Sequence, residues 1–192
     1  MATLQLIHAP FLQQSAQLFV LPLSSAGIIL DPILARCKTL YPDNYALYRR
    51  ACIEKSLTEG DCLLHQRQRT TIGLNTSNNG NQPQYIANLI VSDHPYHPTR
   101  KRWLTTSLEA LNKQLYPLIR YEGLRHIALL ARPLIYTSYD NNLENVAITP
   151  PPAELNVPTL DWQNDIYPLI QDKLQDLPRL RISVHVPRDI EI

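Results

Sequence analysis

The chain has 192 residues, 44% of them hydrophobic, and a formal net charge of +1. That balance excludes disorder, collagen and coiled coil, and it supplies no protein-wide field for nucleic acid or an anionic membrane. Sixteen prolines stand against five glycines, so neither GxGxxG nor GxxxxGK[ST] can be written anywhere in it.

In chain order, residues 4–7 and 18–21 read as two early strands. Asp31-Pro32 pairs a capping side chain with a proline at the first helical position, and opens a helix through Ile33, Leu34, Cys37 and Leu40. Pro42 is expected to end it, with a second helix over 43–55. Residues 61–64, 70–74 and 84–91 read as strands. Thr106-x-x-Glu109 is a capping-box pattern for a helix with a Leu108, Leu111, Leu115, Leu118, Ile119 stripe, which Gly123 ends. A strand at 126–131 follows, then a long Tyr- and Pro-rich connection over 132–158. Trp162, Ile166, Leu169, Ile170 and Leu174 mark a last helix, and 181–186 a last strand. Pro117 and Pro168 should kink or interrupt the helices that hold them.

Strands interleaved with helices predict one α/β domain over 1–192, with a largely buried mixed sheet between helical layers. The first residues, MATLQLIHAP, lack the charged flank and apolar run of a secretory signal, and no stretch approaches 18 apolar residues. Cys37, Cys52 and Cys62 are odd in number and suit buried, reduced thiols. A cytoplasmic protein without cofactor or metal is the expectation.

The stretch FVLPLSSAGIILDPILARCKTLYPDNY, from Phe19 to Tyr45, resembles the first strand-loop-helix unit of macro domains, most of all those of bacterial DNA ADP-ribosyl glycohydrolase antitoxins. Gly60-Asp61-Cys62-Leu63, Tyr85-Ile86-Ala87-Asn88 and Leu160-Asp161-Trp162 match later family segments in the same order. Pro98-Thr99-Arg100-Lys101-Arg102-Trp103 resembles the family's Pro-Thr-Lys-x-His-Trp segment. The resemblance implies a three-layer α/β/α sandwich with a mostly parallel sheet, and an ADP-ribose crevice at the strand ends.

Carried over residue by residue, that crevice is depleted. The family's adenine-binding aspartate falls near Ala9-Pro10, and its loop asparagine on Ser24. Gly27 retains the first loop glycine, but the following Gly-Lys-Gly is matched by Leu30-Asp31-Pro32. Proline has no N–H to offer a diphosphate, and Asp31 brings a like charge. No glycine follows Gly123, so the second glycine-rich loop is absent. The family's lysine is matched by Arg100, which cannot serve as a titrating base.

Ser24, Asp31 and Arg100 are therefore the only candidate catalytic residues, and Ser24, Ser25, Gly27, Arg100, Lys101 and Trp103 the candidate ligand-binding ones. Asp93-His94-x-x-His97 lacks a third metal ligand and reads as a solvated loop. Tyr136, Tyr139 and Asp140 of the long connection suit protein recognition, because tyrosine gives stiff contact area at low entropic cost. The expectation is a degenerate, non-catalytic macro-domain-like protein that binds a protein partner, as an antitoxin or immunity protein would. The alternatives are a divergent ADP-ribosyl hydrolase, and a reader of ADP-ribose or nucleic acid through Arg100, Lys101 and Trp103.

Overall fold

A computed structural model describes residues 1–68, 82–137 and 158–191. Among these residues six strands form one sheet: β1 (Thr3–Ile7), β2 (Leu18–Ser24), β3 (Cys62–Gln66), β4 (Tyr85–Ser92), β5 (His126–Leu130) and β6 (Arg181–His185). Their order is β1-β6-β5-β2-β4-β3, parallel throughout except for β3, which runs antiparallel to β4. The predicted strand 70–74 lies outside the described residues.

Alternation along the strands builds two cores. From β2 and β4, Leu18, Val20, Ala87 and Leu89 face a layer made by α3 (Lys101–Tyr121) and α5 (Tyr167–Leu174). Phe19, Leu21, Ile86 and Ile90 face the other way, toward α1 (Pro32–Leu40) and α2 (Pro42–Ile53). Helices thus cover both faces of a mostly parallel sheet, the arrangement that buried, apolar strands require. β2, β4 and β5 are buried along their whole length.

One expectation about the helices holds, at Pro42, and two need correction. Pro42 follows the end of α1, and it also opens α2 at the first helical turn, where its missing N–H costs nothing. α3 starts at Lys101 rather than Thr106; no side chain caps it, and Thr106 Oγ1 instead donates back to the Arg102 carbonyl. The helix also runs without interruption past Pro117, which lies on its exposed side, where water can reach the carbonyl that loses its partner. At Pro168 the chain is irregular: a π-helical turn, Trp162–Ile166, precedes α5, and the proline sits in that helix's first turn.

Two glycines are held by close packing. Gly27 and Gly60 both have left-handed backbones, at φ 73° and 91°. A Cβ at Gly60 would overlap Thr106 Oγ1, and one at Gly27 would press on Cys52 Cβ. The loop that carries Gly27 is thereby seated against α2.

Candidate functional site: the crevice at the strand ends

The carboxyl ends of β2, β4, β5 and β6 converge on one edge of the sheet, the usual location for ligand sites in open α/β folds. Ser24 ends β2, the loop 25–31 leads into α1, and Arg132 opens the short helix α4 (Arg132–Ile135) just after β5. His185 ends β6.

Asp31 is the centre of this edge. It is 4% exposed. Its Oδ1 accepts from the backbone N–H groups of Ile33 and Leu34 at 2.9 and 3.1 Å, which caps α1. Its Oδ2 accepts from Arg132 Nε at 3.1 Å. The Arg132 guanidinium also lies 5.7 Å from the Tyr136 ring, whose hydroxyl donates to Asp189. Asp31 is not the unscreened like charge that the sequence suggests: Arg132 neutralises it, and its carboxylate itself occupies the helix N-terminus where an external anion would bind.

What remains between these groups is a cavity of about 40 Å³ bordered by Ser24, Ile29, Asp31, Ser92, His97 and Tyr136. A small-molecule site is typically about 300–1,000 Å³. Ser24 Oγ is buried here without a hydrogen-bond partner. Among the described residues no base bonds to it: His8 Nδ1 instead donates to the Val186 carbonyl at 3.3 Å. The neighbouring Ser25 hydroxyl donates to Glu59 at 2.5 Å.

Beyond Arg132 a second cavity of about 260 Å³ opens, walled by Ala9, Phe11, Ile33, Arg132, His185 and Arg188. His185 Nδ1 donates to the Ala9 carbonyl at 2.9 Å, which fixes the tautomer and leaves Nε2 as an acceptor. That atom is buried and has no hydrogen-bond partner among the described residues. Burial holds the His185 pKa below its ordinary value, so the ring is neutral at pH 7. Nothing in the sequence pattern singles out His185; its role depends on β1 and β6 being neighbours.

The structure brings none of the other described candidate residues to either cavity. Arg100 is the residue before α3, with its guanidinium 4.4 Å over the Trp103 ring. Lys101 Nζ pairs with Asp165 at 3.0 Å. Gly27 faces α2. Tyr139 and Asp140 lie outside the described residues. His97 Nδ1 donates to Asp93 at 2.9 Å, and His94 Nδ1 accepts the Tyr96 N–H. No group of three or more potential metal ligands occurs among the described residues. All three cysteines are free thiols; burial first, and the Asp31 charge second, push the Cys37 pKa up to about 12.

No family model matches the chain, and no curated protein matches it by sequence. Solved structures do. The macrodomain of Thermus aquaticus DarG superposes over 97% of this chain and 100% of its own, with TM-score 0.69 and 21% identity. The chain has the macrodomain fold. The macrodomain of Mycobacterium tuberculosis DarG also gives TM-score 0.69, at 16% identity, over 97% of this chain and 99% of its own. Thermosipho africanus DarTG, solved in complex with ADP-ribose, matches at TM-score 0.69 and 16% identity, over 98% of this chain and 43% of that longer one. Among the described residues of this macrodomain-fold chain, no helix is long and apolar enough to cross a membrane.

Proposed function

We propose that this chain is a non-catalytic macrodomain that acts by binding a protein partner, in the manner of an antitoxin or immunity protein. The observation that carries the reading is the seat of Asp31. A carboxylate fixed to two amides of α1 and to Arg132 fills the place of a ligand anion. About 40 Å³ is left beside it. A buried carboxylate held by three hydrogen bonds is not displaced cheaply, since each buried partner left unsatisfied costs about 1–3 kcal/mol. The likeness to DarG macrodomains and to a DarTG structure that holds ADP-ribose supports descent from an ADP-ribose-binding ancestor. Tyr136, Tyr139 and Asp140 are the proposed partner contacts, and the cytoplasm the proposed location.

A second reading has its own observation. The 260 Å³ cavity with the unpartnered His185 Nε2 could still take a nucleotide of the ADP-ribose class by its base. One experiment separates the two. Thermal unfolding with millimolar ADP-ribose, NAD and adenosine is expected to show no saturable rise in Tm. A ligand at a hundredfold excess over its Kd would contribute about 2.7 kcal/mol. On a chain of this size that amounts to roughly 5–11 °C. Such a rise favours the second reading. Release of ADP-ribose from a modified substrate, lost in Ser24→Ala or Arg100→Ala, would overturn the first outright.

A further inference from the structure

We propose a second binding site, at the end of the sheet opposite the crevice: a groove for single-stranded nucleic acid. It is independent of how the crevice is read. The groove measures about 400 Å³ and is lined by Tyr116, Ile119, Arg120, Arg125, Pro178 and Arg179. Three of these six are arginines and none is acidic, in a chain whose whole net charge is +1. It lies where α3 ends and β5 and β6 begin, a strand's length of roughly 17 Å from the crevice.

Local structure explains only part of this clustering. Arg125 Nη1 donates to the Ile119 and Leu124 carbonyls at 2.9 and 2.8 Å, which satisfies acceptors at the end of α3. Arg120 sits in the last turn of that helix, where a cation suits the dipole. Arg179 has no such account. It is exposed, its backbone is left-handed at φ 52°, and among the described residues it makes no hydrogen bond or ion pair. None of the three arginines is paired with a carboxylate among those residues, and neither Glu122 nor Asp176, adjacent along the chain, lines the groove. Unpaired guanidiniums held together repel one another, and an external polyanion relieves that repulsion.

Aromatic rings stand beside the arginines. Tyr116 is 49% exposed on the groove wall, and Tyr121, outside the lining, is 72% exposed with the guanidinium of groove-lining Arg120 5.5 Å from its ring. Cations that follow a backbone, beside aromatic rings on which bases stack, are the general recipe for single strands. An acidic protein segment would use the arginines and leave the tyrosines idle.

The test is a fluorescence-anisotropy titration of the full chain with labelled oligodeoxyuridine and oligouridine of about twelve nucleotides. Three phosphate contacts, at a slope of about −0.7 each, predict that raising salt from about 50 to 200 mM weakens binding roughly 20-fold. Arg120→Gln and Arg179→Glu, both at exposed positions, should weaken it about threefold and at least about tenfold respectively, with Tm within about 2 °C of the parent. Tyr116→Ala should cost at least about fivefold through lost stacking. Arg179→Gly should hold or raise Tm, because the left-handed strain goes, while affinity falls. Whichever oligonucleotide binds tighter identifies the sugar. No binding at about 50 mM salt overturns the proposal, as does binding that Arg100→Glu abolishes and Arg179→Glu does not. Tighter binding of polyglutamate than of either strand assigns the groove to an acidic protein and also overturns it.

Discussion

Asp31 joins two parts of the chain that lie 101 residues apart, α1 through its own cap and β5 through Arg132. The cap half of this role is legible in the sequence, since aspartate followed by proline is a helix start wherever it occurs. The arginine half is not, because only the parallel pairing of β2 with β5 brings Arg132 alongside. Asp31→Ala removes two cap bonds and an ion pair, and should lower stability by about 2–3 kcal/mol. For a chain of this size that is a fall in Tm of roughly 4–12 °C, measurable by thermal denaturation. Asp31→Asn keeps the capping oxygen and should lose about half as much. A variant that lost nothing would mean the carboxylate is not the anchor of this edge.

Among the elements, the apolar strands were the most readable, because burial on both faces leaves a continuous run such as Tyr85-Ile86-Ala87-Asn88-Leu89-Ile90-Val91. The start of α3 was not. Thr106 and Glu109 satisfy a capping box as text, yet the hydroxyl of Thr106 turns back to the Arg102 carbonyl inside a helix already formed. Asn88 is one polar letter in an apolar run, and no sequence pattern gives it a partner. It is fully buried and exchanges amide hydrogen bonds with Asn44 of α2 at 2.8 and 3.0 Å, while also donating to the Leu63 carbonyl. This pair pins α2 to the middle of the sheet. Asn88→Ala leaves the Asn44 amide buried without its partner, and should destabilise the fold by about 2–3 kcal/mol in urea unfolding. The double change Asn44→Leu with Asn88→Leu should cost less than the single one, since it removes both unpaired amides together. A double variant weaker than the sum of its parts would count against the pair.

At the scale of the molecule, four histidines share one electrostatic bias. Burial lowers the pKa of His65, His94, His126 and His185 below the ordinary value. In the folded chain these rings resist protonation, while in the unfolded chain they accept a proton near pH 6.5. The unfolded state therefore binds more protons between those values. Stability should be complete above about pH 6.5 and fall as pH drops below it. Urea midpoints at pH 8 and pH 5.5 check the sign, and His185→Asn should flatten part of the slope. The order of the sheet has a consequence in time as well. β1 is synthesised well before β6, its one neighbour among the described strands, whose Arg181 pairs with Thr3 across 178 residues. At about 5–20 residues per second, a ribosome needs roughly 10–35 s to deliver that neighbour. During that interval β1 has an open edge and no ladder to join, so nascent-chain escort is needed most before the last strand emerges.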